Sequence, residues 1–433
     1  MARSTGRGGY LGLVTCLVVL AVSSCATHDR TAPKPSAPPT VTVTPRSALV
    51  DVPVRTTVAG LPAGADTTVT ASATGDHGTA WSATARFTAT KNGSVSLTQP
   101  SAGGSYRGVD PMGLFDMMTP TSAASTETEF VIPPGGFTVT LRARIGGRVV
   151  AMTTVRRTTV GAVPITTTAE RLSSTGIYGE LAAPKHSTKR RPAILLFGGS
   201  EGGLATAFTA KLLAAHGYPA LALAYFKEPG LPSDLTHIPL EYFKKALDLL
   251  RSQPGVDPAH IVVWGVSRGS EAALLLGVHY PDLVHGVVAG VPSSVVNPGY
   301  PESSQPAWTL AGKPIPAISM TAYGEPEPAD RQAVIPVEKI NGPVLLYCGG
   351  QDEVWHSCPY QDAITARLKS HHFHGEVTAL RYSGAGHFVG SLTCYLSVAP
   401  RWFDRGGGTA AANLRAEADG HAALLRYLAA LRQ

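Results

Sequence analysis

Cysteine is scarce in this chain: five among 433 residues, at positions 16, 25, 348, 358 and 394. That count excludes a small scaffold held together by many disulfides. Charge is also sparse, with 15% Asp, Glu, Lys and Arg and a formal net charge of +6 that falls to +4 without Arg3 and Arg7. So mild a balance excludes a basic nucleic-acid-binding surface, and no nucleic-acid partner is expected. The first 24 residues contain no acid, and their apolar run, Tyr10 to Val22, is too short to span a bilayer. Between Val41 and about Arg157 there is no helical periodicity of any length. What is abundant is apolar residues, 44% of the chain, enough for real cores in a protein whose length predicts two or more domains.

The N-terminus reads as a targeting segment. Arg3 and Arg7, the short apolar core and Val22-Ser23-Ser24-Cys25 describe a secretory leader over residues 1–24. Small residues directly before a cysteine also resemble the bacterial lipobox, which implies a lipid on Cys25 and a protein held at the cell-envelope membrane. An ordinary cut near Ala26 and an uncleaved anchor are the alternatives. Residues 25–40, rich in Pro, Ala and Thr, read as a flexible tether. Cys348, Cys358 and Cys394 then remain for the mature protein. Outside the cytoplasm a pair can oxidise, and Cys358 with Cys394 is the expected pair, tying together two loops downstream. Cys348 lies inside an apolar strand-like run; three free thiols are the competing expectation.

From 41 to 160 short Thr- and Val-rich alternating runs such as VTVTP, TTVTASAT and WSATARFTAT are separated by turn clusters, which predicts six or seven strands in an immunoglobulin-like β-sandwich. After Ile165 strands alternate with helical stretches: PAILLF, LATAFTAKLLAAHG, PALALAYF, LEYFKKALDLLRS, HIVVWG, SEAALLLGVHY, HGVVAG, PVLLYCGG, EVTALRY and HAALLRYLAALR. This grammar predicts an α/β domain over 165–433 with a mainly parallel sheet covered on both faces. The Pro-rich, barely periodic stretch 299–341 reads as a lid-like excursion over the sheet's edge.

Two G-x-S-x-G patterns end strands of that sheet, at Gly198-x-Ser200-x-Gly202 and Gly265-x-Ser267-x-Gly269. In an α/β-hydrolase the nucleophile elbow comes late, an acid and a histidine follow it in that order, and an earlier Gly-rich loop supplies oxyanion donors. Ser267 therefore fits the nucleophile, Asp352 after PVLLYCGG the acid, and His387 after EVTALRYSGAG the base. The backbone N–H groups of Arg268, Gly199 and Ser200 fit the oxyanion hole. Each residue also has a plain structural use: Ser267 in a turn, Asp352 as a helix cap, and Ser200 with Glu201 as a capping pair. His371, His372 and His374 lack the acid or cysteine spacing of a metal site, so no metal and no cofactor is expected.

The segments GGSYRGVDPMGLFDMMTP, FGGSEGG, LAYF with LEYFKKALDLL, GVSRGSE, IPVEKINGPVLLYCGGQDEVWHS and YSGAGHF together resemble the acyl-CoA thioesterase and bile acid-CoA:amino acid N-acyltransferase family, from about Thr40 to the C-terminus. The resemblance implies a β-sandwich followed by an α/β-hydrolase domain. It also carries the family's Ser or Cys nucleophile, Asp and His onto Ser267, Asp352 and His387. Amidating members use cysteine and thioester-hydrolysing members commonly serine, so Ser267 implies water as acceptor and an acyl thioester or related ester as substrate. Acyl transfer to an amine or hydroxyl, and a non-catalytic envelope-binding lipoprotein, are the other functions weighed. Two features depart from the family: Ser200-Glu201 interrupts a plain glycine run, and relatives act inside cells, where acyl-CoA is found.

Overall fold

Alternation every second residue decides the first half of the fold. In the strand Asp66–Thr74, Thr67, Val69, Ala71 and Ala73 point inward while Thr68, Thr70 and Ser72 between them stay partly exposed. The computed structural model describes residues 38–431 apart from 186–188, 392–394, 396 and 398–403. The leader, Cys25, most of the tether and Cys394 lie outside the described residues. Pro38 to Gln433 forms one compact unit.

Ten strands precede Ile165, four of them only two or three residues long. They form a three-stranded sheet (Thr40–Thr44, Arg55–Ala59, Val95–Ser96) and a larger sheet with Arg148–Thr158, Phe137–Ile145, Asp66–Thr74 and Ala80–Thr88 side by side at its centre. Val41 and Val58 from one sheet and Val69, Trp81, Leu141 and Val155 from the other share one core, which makes the lobe a sandwich. Its single helix, Gly113–Asp116, is one turn long.

The second lobe is an eight-stranded sheet: β1 (Ile165–Glu170), β2 (Tyr178–Pro184), β3 (Arg191–Phe197), β4 (Ala220–Ala224), β5 (Val256–Val266), β6 (Gly286–Gly290), β7 (Val344–Gly349) and β8 (Val377–Tyr382), in the spatial order β1-β2-β4-β3-β5-β6-β7-β8. β1 pairs antiparallel with β2 and β2 with β4; the remaining pairs are parallel. This is the α/β-hydrolase arrangement. Its central strands carry apolar runs because both faces are covered, β4 being buried at all five positions. Its longer helices are α1 (Ala207–Ala215), α2 (Leu240–Arg251), α3 (Arg268–His279), α4 (Ser357–Ser370) and α5 (Ala410–Ala430). On one face Leu240, Phe243, Leu247 and Leu250 of α2 pack with α3 against Leu195 and Val263. On the other, Leu424 and Leu428 of α5 join α1 against Ile194, Val262 and Leu345.

β1 and β2 lack the apolar run that marks the inner strands. β1, ITTTAE, shows four consecutive exposed residues, and as an antiparallel edge it needs no buried face. Helix α5 begins eleven residues before the amphipathic run HAALLRYLAALR, over a stretch whose mixed polarity hides Asn413, Leu414 and Glu417 facing inward.

One buried carboxylate joins the sandwich to two helices of the second lobe. Asp51 of the sandwich accepts hydrogen bonds on Oδ2 from Nε2 of His216, at the end of α1 (2.7 Å), and from Nε2 of His421 in α5 (3.0 Å). Burial pushes the Asp51 carboxyl up, but the two imidazoles more than offset it, and it lies well below the usual carboxylate range. Three ligating atoms so close invite a metal reading. The Nε2–Oδ2 separations of 2.7 and 3.0 Å are, however, those of direct hydrogen bonds. The group reads as a hydrogen-bonded clasp. Sequence reading missed these residues because 165 and 370 positions separate the histidines from Asp51.

Candidate active site

β5 ends in Val266, and the chain must turn at once into α3. Ser267 makes that turn with φ 55° and ψ −123°, a region costly for any residue with a Cβ and one that a strand-to-helix elbow of the G-x-S-x-G kind requires. The flanking glycines are there for closeness of approach: a side chain on Gly265 would run into the carbonyl of Gly269, and one on Gly269 into the carbonyl of Gly198. The elbow and the loop after β3 therefore touch backbone to backbone. A Cβ on Gly199 would stand 2.8 Å from that of Ser267.

The acid comes from the loop after β7 and the histidine from the short helical turn His387–Ser391 beyond β8. Ser267 Oγ lies 2.9 Å from His387 Nε2, and His387 Nδ1 lies 2.9 and 3.0 Å from the two Asp352 oxygens. The proton on Nδ1 is assigned by this network, since a carboxylate can only accept. Asp352 also accepts from the backbone N–H of Val354 and Trp355 and from Ser357 Oγ at 2.6 Å. It thus turns the loop ahead of α4, whose capping position is His356, while aiming at His387. Gly349 and Gly350 serve that approach through space rather than through turn conformation: side chains there would strike the backbone of Gly386 and Ser383 in the histidine loop. The Trp355 ring meets His387 edge-on at 5.8 Å.

The expected Cys358–Cys394 pair is replaced by another. Cys358, in the first turn of α4, is bonded to Cys348, with Cα atoms 5.1 Å apart. Cys348 does lie inside the apolar strand β7, but near its C-terminal end, where the chain loops through Asp352 and returns as α4 beside it. The bond closes a ring around the acid loop instead of joining acid loop to histidine loop.

The loop after β3 holds Gly199 and Ser200 beside Ser267. Neither Ser200 nor Glu201 caps a helix, since α1 starts at Ala207 behind Thr206. Arg268 opens α3, so its N–H is among the donors with no partner inside the helix. The Gly199 N–H is already taken: it donates to Glu201 Oε1 at 2.8 Å. The carbonyls of Gly198 and Gly199 accept from the Tyr225 hydroxyl at 2.9 and 3.0 Å. Burial, then the nearby Glu201, pushes that hydroxyl well up, so it stays a donor.

In front of Ser267 is a cavity of about 350 Å³, walled by Arg268, Asn297, Tyr300, Tyr323 and Trp355 among others. Its floor is fixed by a residue sequence reading passed over. Glu271, fully buried in α3, accepts from the N–H and Nδ2 of Asn297 and from Trp308 Nε1, and lies 2.8 Å from Arg268 Nε. Arg268 in turn donates to the carbonyls of Asn297 and Pro298. An acid inside the apolar helical run SEAALLLG was the available signal. His371, His372 and His374 sit together on an exposed turn at the end of α4, away from these groups.

Residues 51–164 match the family region described as acyl-CoA thioester hydrolase/BAAT N-terminal region, and residues 238–391 that described as BAAT / acyl-CoA thioester hydrolase C terminal. The chain belongs to the acyl-CoA thioester hydrolase/BAAT family. Similar family members include acyl-coenzyme A amino acid N-acyltransferase 1 of Mus musculus, 29% identical over 382 residues (82% of this chain, 88% of the relative), and acyl-coenzyme A thioesterase 1 of Mus musculus, 28% identical over 368 residues (78% and 82%). Among solved structures, a dienelactone hydrolase-like promiscuous phosphotriesterase from metagenomic libraries aligns with TM-score 0.40 and 17% identity, over 63% of this chain and 99% of that one.

Proposed function

We propose that this acyl-CoA thioester hydrolase/BAAT family enzyme cleaves acyl thioesters or closely related acyl esters through an acyl-enzyme on Ser267. The observation that carries the reading is the unbroken relay from Ser267 Oγ through His387 to Asp352, every step 3.0 Å or less. His387 Nε2 takes the hydroxyl proton as Oγ adds to the substrate carbonyl, and Asp352 holds the ring in the required tautomer and balances the imidazolium. The tetrahedral oxyanion is held by the Arg268 N–H and by donors of the Gly199–Ser200 loop. Collapse breaks the bond to the leaving thiolate or alkoxide, which receives the proton from His387. Water, deprotonated by the same imidazole, then frees the acid and restores Ser267. Turnover of an activated acyl ester by the purified protein, abolished in Ser267→Ala, is the expected result; equal turnover in that variant would remove Ser267 from the mechanism.

A second reading, acyl transfer to an amine or hydroxyl, is favoured by the N-acyltransferase relatives. Added acceptor that diverts the acyl group from water would establish it. Export and lipidation of Cys25 belong to the proposal as well, supported by the leader's composition and by the Cys348–Cys358 bond, which suits an oxidising compartment. Radiolabelled palmitate entering the wild-type chain in a bacterial host, but not Cys25→Ala, is the expected outcome.

A further inference from the structure

The loop after β3 is built to offer N–H groups to an oxyanion, and one of those groups is occupied by a carboxylate from the same loop. Glu201 Oε1 accepts the Gly199 N–H at 2.8 Å, and its second oxygen reaches to 3.1 Å of where a Gly199 Cβ would stand, itself 2.8 Å from the Cβ of Ser267. A carboxylate oxygen at a backbone donor beside the nucleophile stands in for the negatively charged oxygen that the reaction develops there.

The loop does not depend on this side chain for its shape. Tyr225 ties down the carbonyls of Gly198 and Gly199, and Lys227 Nζ ties down those of Ser200 and Glu201 at 3.2 Å. Glu201 itself is exposed, so its carboxylate can rotate into water without opening a cavity. The contact is thus reversible, local and paid for by nothing else in the fold.

We propose that Glu201 is a gate on the oxyanion hole: its carboxylate fills the Gly199 donor at rest and must be displaced by the substrate's developing oxyanion before acylation of Ser267. The inference rests on the hydrolase reading above and adds to it a resting state in which the hole is only partly available. Because the enzyme reacts only from the displaced state, its apparent rate is lowered by the fraction of molecules that are open. Substrate binding in the ground state, made with the cavity walls, is unaffected.

The test compares wild type, Glu201→Ala and Glu201→Gln, using a short-chain p-nitrophenyl ester and a trifluoromethyl ketone carrying the same acyl chain. Oγ of Ser267 adds to the ketone carbon, the carbonyl electron pair moves onto oxygen as an alkoxide in the hole, and the serine proton goes to His387. Glu201→Ala is expected to raise kcat and tighten the ketone by roughly tenfold each, as for a state open about a tenth of the time, with KM unchanged. Glu201→Gln should fall between, since a neutral amide oxygen still accepts from Gly199 but carries no charge. Unchanged kcat and ketone affinity in both variants would overturn the gate. So would a loss of activity in the Ala variant restored by Gln, which would make Glu201 a support for the loop. Labelling by a fluorophosphonate keeps the two proposals apart: Ser267 labelled with no difference among variants sinks the gate alone, whereas no labelling in any of them sinks the hydrolase reading and the gate with it.

Discussion

Gly199, Gly265 and Gly269 explain why Ser267 can sit where it does: at each, the first carbon of a side chain would enter a neighbouring backbone or Ser267 itself. Gly199→Ala should therefore leave the fold intact, since its neighbours are the site and not the core, yet lower kcat by about hundredfold, the order lost with one oxyanion donor; circular dichroism and ester turnover check both halves. Asp352→Asn keeps an acceptor for the N–H groups of Val354 and Trp355 but presents the wrong partner to His387, and a loss of about 10³- to 10⁴-fold in kcat is expected. The order of Ser267, Asp352 and His387 along alternating strands and helices made these three legible before any coordinates. Glu201 was visible only as a departure from a glycine run, because a side chain that bonds two residues back leaves no periodicity to read.

Helix α3 joins the elbow to the cavity wall through Glu271. Replacing it with Ala leaves Arg268, Asn297 and Trp308 short of a buried partner, and a loss of about 3–5 kcal/mol in urea unfolding is the expected result. The Cys348–Cys358 bond acts on a different element, the short loop that presents Asp352. Its ring spans ten positions, and the paired Cys348→Ser and Cys358→Ser variant should lose about 2–4 kcal/mol, read as a lower urea midpoint for the variant than for the wild type in the absence of reductant. The apolar spacing of α2 was plain because that helix packs one stripe against a sheet. The disulfide was misread for the same reason, as a cysteine within an apolar strand was taken to be committed to the core, when a strand's last residues face whatever the chain does next. The hairpin of β1 and β2 went unseen since an edge bears little burial and hence little pattern.

Between the lobes, the Asp51 clasp makes stability depend on pH. The folded carboxyl lies below its unfolded value near 3.8, so its contribution is complete above that value and is lost progressively as pH falls through it toward the lowered one. Asp51→Asn should flatten the acid side of a stability-versus-pH curve measured by thermal unfolding. Asp51→Ala should cost about 2–5 kcal/mol at neutral pH by leaving two imidazole donors without their acceptor. None of this was readable beforehand, for a bond between positions 51 and 421 has no local signature. It also sets an order of events for a chain made from its N-terminus. The sandwich can pair its strands early, but the second imidazole reaches the carboxylate at 51 only after helix α5 has left the ribosome, so a chain stopped before residue 410 would hold that charge with His216 alone.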